Sequence, residues 1–227
     1  MAYTLNLEQM EGRWIAHVAE LPGAFATADS LDAAVQAAPA AIVEYAAWSE
    51  ASSNFPLAPE TQVAEIIRAW EYAPDYEVNA FFATDRPALT EAEIIEARRL
   101  LYLARAELLD ASLGLDPAHL AEPIPGAEWT VNDVMRHVAT AENWYLDRIG
   151  LAHEPAWDMK DTLGRLMLVR QHLLDVLPYF IGDERLVENN GELWTPRKII
   201  RRALWHERDH ANHIRQLMAA RRASRSA

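Results

Sequence analysis

Cysteine is absent from the 227 residues. No disulfide therefore points to an oxidising compartment, no protein thiol can serve as nucleophile or zinc ligand, and any thiol chemistry needs a thiol cosubstrate. Basic charge is scarce. The 21 Lys and Arg face 34 Asp and Glu, a formal net charge of −13, so the average surface repels phosphate backbones and anionic membranes, which disfavours nucleic acid as a partner. Arg215, Arg221, Arg222 and Arg225 gather near the C-terminus, where cations complement a helix dipole. No apolar run approaches the roughly 18 residues that suggest a membrane span. The N-terminus lacks the basic, apolar and small-residue succession of a signal peptide, and the expected location is cytoplasmic, away from the membrane.

About half of the residues are hydrophobic, and the length allows one large core or two modest ones. Two periods divide the chain. Tyr3, Leu5 and Leu7 alternate with Thr4, Asn6 and Glu8, and alternation resumes over 13–18 after Glu11-Gly12, which predicts strand, turn, strand. After Leu21-Pro22-Gly23, residues 24–28 make a third strand. Ser30 caps a helix carrying Leu31, Val35, Ala38, Ile42 and Tyr45, with Pro39 expected to kink or restart it. Residues 51–60 read as a loop. Val63 to Trp70 and Val78 to Phe82 read as strands, although the first of these has the alternative of beginning a helix.

Beyond Asp85, Arg86 and Pro87 the period becomes helical. Four segments are expected: from Thr90 to before Gly114, from Thr130 to Gly150, from about Lys160 to Ile181, and from Thr195-Pro196 to about Ala220. The fold class is thus α+β, with a small β-β-β-α domain over 1–84 and a four-helix bundle over 85–227, a site lying between the helices.

The last helix contains His206-Glu207-Arg208-Asp209-His210, which reads as H-E-x-x-H. Residues four apart share a helix face, so both imidazoles can reach one metal ion. A metalloprotease normally takes its third ligand downstream, but no Glu, Asp or His follows His213. The third ligand must come from upstream. His137, in the second helical segment, offers an imidazole that joins the i, i+4 pair, and three neutral imidazoles leave coordination positions open, as catalytic sites do.

Trp129-Thr130 with His137 and Glu142, then Trp194-Thr195-Pro196, and finally His206-Glu207-x-x-His210 with Ile214 resemble the DinB-like (DinB/YfiT) superfamily over residues 90–220. The resemblance implies one divalent ion, commonly zinc or nickel, bound by His137, His206 and His210. It further implies activation of a low-molecular-weight thiol, as in bacillithiol transferases and mycothiol-dependent isomerases. His213 departs from the pattern and has three open roles: a fourth ligand, a donor to a ligand, or a surface residue. Glu207 is either a base beside the metal or the partner of Arg202 or Arg208. Glu142 either orients a ligand or forms a salt bridge. His17, His119, His153 and His172 are expected at the surface or in loops. Trp129, Trp144, Trp194 and Trp205 are expected to be core or loop anchors, one or two of them lining a pocket.

Tyr3 to Leu7, the Gly12 turn, Leu21-Pro22-Gly23 and the Ser30-Leu31 helix start, with Ala34, Ala38 and Ala41-Ile42, resemble the HicB-like fold found in antitoxins. That fold is a truncated RNase H-like unit. Nuclease chemistry needs carboxylates converging on magnesium, and the first strand offers only Glu8. A HicB antitoxin usually carries a DNA-binding domain after this unit, but here the bundle takes that place. The resulting expectation is a metal-dependent enzyme acting on a small molecule, a thiol-dependent S-transferase or a metal-assisted hydrolase, with Glu207 and Glu142 as candidate catalytic groups. The alternative is a non-catalytic HicB-like interaction or stress-response regulatory module with a structural metal or none. A homodimer is expected if a helix exposes an apolar face.

Overall fold

The computed structural model describes residues 2–50, 56, 58–74 and 76–226, the side chains of 117, 225 and 226 excepted. The chain forms two compact units. The first comprises Met1–Ala88 with Asp183–Arg201, the second Leu89–Gly182 with Arg202–Ala227. Most of the expected 51–60 loop lies outside the described residues.

In the first unit, strands β1 (Tyr3–Met10), β2 (Arg13–Val18) and β3 (Phe25–Ala28) precede helix α1 (Leu31–Trp48) and strand β4 (Thr61–Arg68). The sheet order is β3-β2-β1-β4, with β1 antiparallel to β2 and parallel to β4. Glu11 and Gly12 both take positive φ, 52° and 73°, which gives the two-residue hairpin a turn whose twist matches its strands. Leu5, Leu7 and Ile15 are fully buried. The polar side of the alternation is covered as well. Asn6 Nδ2 donates to Thr84 at 2.8 Å, and Glu8 accepts from the Ala80 amide at 2.7 Å.

Two strand expectations meet different outcomes. Thr61–Arg68 is a strand, whereas 78–82 is irregular, with short strands β5 (Glu71–Ala73) and β6 (Tyr76–Glu77) just before it. Apolar content there reflects burial of Val78, Ala80 and Phe82, and burial alone does not make a ladder. Helix α1 also runs unbroken through Pro39. Burial of Ala38, Ile42 and Tyr45 on both sides of the proline outweighs the lost backbone bond.

Residues 183–201 complete this unit. Strands β7 (Val187–Asn189) and β8 (Glu192–Trp194) form a hairpin over Asn190 and Gly191, again both at positive φ. Lys198, fully buried, donates to Glu192 at 2.7 Å, to the Asn79 carbonyl at 3.0 Å and to the Leu193 carbonyl at 2.9 Å. The Tyr76 hydroxyl donates to the other oxygen of Glu192 at 2.6 Å. Arg201 is paired bidentately with Asp85 at 2.8 Å.

The second unit is helical: α2 (Glu91–Ala111), the short α3 (Pro117–Leu120), α4 (Val131–Asp147), the short α5 (Pro155–Asp158), α6 (Thr162–Val176) and the unit's share of α7 (Pro196–Ser226). Thr90 and Thr130 close capping boxes with Glu93 and Asp133. Asp161 caps α6 close to the expected start near Lys160, and the helix ends in a 3₁₀ turn over Leu177–Phe180, at Pro178. Four helices share one core, with Leu108 from α2, Val134 and Val138 from α4, Leu166 from α6, and Ala211, Ile214 and Leu217 from α7.

Cross-helix bonds give the directions. Arg98 reaches the Leu174 carbonyl and Arg105 the Leu166 carbonyl, so α2 and α6 are antiparallel. Arg136 reaches the Lys160 carbonyl and Arg170 reaches Glu142, so α4 and α6 run the same way. Among the described residues no helix is long and apolar enough to cross a membrane.

Removing the Lys198 ammonium leaves the Glu192 carboxylate buried without its cation. Lys198→Met is expected to lower the unfolding free energy by roughly 3–5 kcal/mol, read as a fall in the urea midpoint.

Candidate metal centre

His206 and His210 stand one turn apart on α7, and His137 on α4 faces them. His137 Nε2 lies 3.0 Å from His206 Nε2, and His210 Nε2 lies 3.1 Å from the same atom. Among the described residues these three imidazoles make up the cluster able to hold a metal ion, their ligand atoms all within 4.8 Å of one another. Three nitrogens holding a divalent ion at ~2.1 Å stand about 3.0–3.4 Å apart. The two separations to His206 match that spacing, and the donor set is of the kind that holds such an ion. A single ring proton can lie between only two of the three nitrogens, and a cation satisfies all three lone pairs at once. Burial, followed by the charge of His213, lowers the His137 pKa and keeps that imidazole a neutral donor.

Aromatic rings pack around these histidines. Trp129, next to the Thr130 cap of α4, stacks on His210 at 6.3 Å with 9° between the planes, and meets His137 edge-on at 5.0 Å. Tyr145 and Trp205 each place a ring 5.9 Å from His206. His213 lies outside the cluster, with its ring 5.9 Å from His210 and 6.1 Å from Trp129. Of the four tryptophans, Trp129 lines the centre, Trp205 is buried under the Arg202 guanidinium, Trp144 packs with Arg148, and Trp194 is core in the first unit.

Glu142 and Glu207 sit one layer deeper, where each long helix contributes one charge. Arg105 comes from α2, Glu142 from α4, Arg170 from α6 and Glu207 from α7, none more than 5 % exposed. Arg170 donates to Glu142 Oε1 at 3.0 Å and Oε2 at 2.6 Å, and its Nη2 also donates to Glu207. Arg105 donates through Nε to Glu207 and through Nη2 to Glu142 at 3.4 Å. The remaining guanidinium nitrogens reach the Leu166 and Leu101 carbonyls. Glu207 thus takes Arg105 and Arg170 as partners, while Arg208 pairs with Glu107 at 3.2 Å and Arg202 lies over the Tyr145 and Trp205 rings. All four carboxylate oxygens accept from guanidinium groups.

Arg105 and Arg170 escaped the sequence reading, yet a signal was there. Both fall on the apolar stripes of their helices, between Leu101 and Leu108 and between Leu166 and Leu173, where a charge needs a buried partner. The other histidines divide. His17, expected at the surface or in a loop, is 4 % exposed on β2, with Nε2 3.3 Å from Glu8, because the sheet is covered on both faces. His172 Nε2 lies 2.8 Å from the Leu151 carbonyl, its ring against His153, and His119 sits exposed on α3 beside Asp116.

Burial alone would raise the Glu142 pKa, but the charges of Arg170 and Arg105 outweigh it and leave the carboxyl below its ordinary value near 4.5. A depressed folded-state pKa contributes stability that is complete above the unfolded value and lost as pH falls through the folded one. The protein is therefore expected to lose stability below about pH 4. Denaturation midpoints measured against pH should show a shallower acid slope in Glu142→Gln.

The family model of the DinB superfamily matches residues 100–214. No curated protein shows a significant match. Among solved structures, YfiT from Bacillus subtilis, described as a probable metal-dependent hydrolase with an unusual four-helix bundle topology, is similar at 21% identity and a TM-score of 0.44, over 58% of this chain and 89% of that one. With half of its length matched by the family model, the chain belongs to the DinB superfamily.

Proposed function

We propose that this protein is a metal-dependent enzyme in which His137, His206 and His210 hold one divalent ion, zinc or nickel, and that the reaction it serves is thiol-dependent group transfer on a small molecule. The convergence of three Nε2 atoms at 3.0 and 3.1 Å carries the reading. When bound, the ion supplies Lewis acidity at open coordination positions, polarising a substrate oxygen and lowering the pKa of a thiol or water.

The protein's own groups favour the thiol. The two buried carboxylates beside the histidines, Glu142 and Glu207, are engaged by arginines, so neither is free to take a proton from water, whereas a thiol would need no such base if a metal were held by the histidines. The chain has no cysteine, and the thiol is a cosubstrate. Glu142 and Glu207 act as positioning residues that hold α4 and α7 in register, and Trp129 braces two of the ligands. We read the first unit as a HicB-like interaction or gating module. Its β-β-β-α order supports that reading, and burial of Glu8 against His17 and the Ala80 amide leaves no nuclease carboxylate on the first strand.

Elemental mass spectrometry on protein purified without a histidine tag is expected to find near one equivalent of metal, and none in the His137→Ala, His206→Ala, His210→Ala variant. Turnover of an electrophile with a small thiol should vanish on chelation and return with zinc or nickel. Ester or amide hydrolysis at equal rate without thiol would overturn the transferase reading and leave the metal site standing.

A further inference from the structure

Arg165, in the first turn of α6, is 6 % exposed. Its guanidinium makes no hydrogen bond or ion pair with any described residue, and its Nε is enclosed without a partner. The other deeply buried arginines of this unit with ion pairs, Arg105, Arg170 and Arg221, have carboxylates: Glu142 and Glu207 for the first two, Glu122 for the third. What surrounds Arg165 is an aromatic ring and a second cation. Its guanidinium carbon lies 5.8 Å from the Trp157 ring centroid on α5, and the charged group that acts on it is Arg136 of α4.

Arg136, being a cation, cannot neutralise it. Its Nη2 donates to the Lys160 carbonyl at 2.7 Å. Asp133, which accepts the Thr130 capping bonds at 2.9 and 2.7 Å, lies on Arg136's side of this pair and is attracted to it, whereas no carboxylate acts on Arg165. A nearly buried arginine whose Nε is enclosed without a partner, beside a like charge and with no counter-ion, is unfavourable, and burial together with Arg136 depresses the Arg165 pKa. An arginine stays charged nonetheless, so an anion from outside the chain is the missing partner.

We propose that Arg165, with Arg136 beside it, forms an oxyanion-binding subsite that takes the carboxylate or phosphate group of a small ligand. The planar fork of a guanidinium matches the paired oxygens of both groups. Trp157 packs beside that fork, and the Lys160 carbonyl fixes Arg136. An anion between two guanidiniums turns their repulsion into two attractions. The subsite uses none of the three histidines and stands whether or not they bind metal.

The test is calorimetric titration of the full chain, stripped of metal by a chelator, with inorganic phosphate and separately with acetate at constant ionic strength set by chloride. One saturable site for either anion is expected, phosphate pointing to a phosphorylated ligand and acetate to a carboxylic acid. Arg165→Gln should weaken binding at least tenfold while circular dichroism shows the helices intact. If that variant does not fold, Arg165→Lys, which keeps the charge and loses the fork, should weaken it severalfold. No saturable binding of either anion by the wild type overturns the proposal, as does unchanged affinity in the folded variants.

Discussion

The ring of Arg105, Glu142, Arg170 and Glu207 is the interaction on which the helical unit depends. Two guanidiniums and two carboxylates, one from each long helix, alternate in the buried interior and cancel in charge. Such a ring is not a large source of net stability, since the desolvation of four ions offsets much of the attraction. Its effect is selective. Any slip of one helix past another strands at least one buried charge, so the ring penalises alternative registers far more than it rewards the native one. The bonds from both arginines to the Leu166 and Leu101 carbonyls tie the same ring to the backbones of α6 and α2.

The candidate metal centre inherits that register. Glu207 follows His206 directly on α7, and Glu142 lies five residues beyond His137 on α4. Fixing the two carboxylates fixes the helical phase and height of the three histidines, whose candidate ligand atoms lie within 4.8 Å of one another. Trp129 then sets ring orientation from the entrance of α4, and burial keeps His137 neutral. Backbone, charge ring and aromatic brace form successive layers, each fixing what the next one positions. Arg165 stands outside this order. It shares the arginine chemistry of the ring but lacks the carboxylate.

Much of the architecture was legible along the chain because its causes are local. Helix starts at Thr90, Thr130 and Thr195 follow from side chains that bond amides within the next turn. The Glu11-Gly12 and Asn190-Gly191 turns follow from residues that tolerate positive φ. Misreadings arose where a local pattern met a tertiary force. Residues 78–82 have strand-like apolar content but pack irregularly, the α1 helix is not restarted at Pro39, and His17, in a polar slot of an alternating strand, is buried with Glu8.

The sequence by itself determined the α+β partition, the helix caps and the i, i+4 histidine pair, because each depends on residues within a turn or a hairpin of one another. Only the tertiary structure decided how closely His137, which the sequence already offered, approaches that pair, that both nearby glutamates belong to arginines far away in sequence, and that residues 183–201 build onto the first unit. These outcomes depend on which charges remain after every buried group has chosen a partner, and that choice is made across helices, where sequence spacing carries no information.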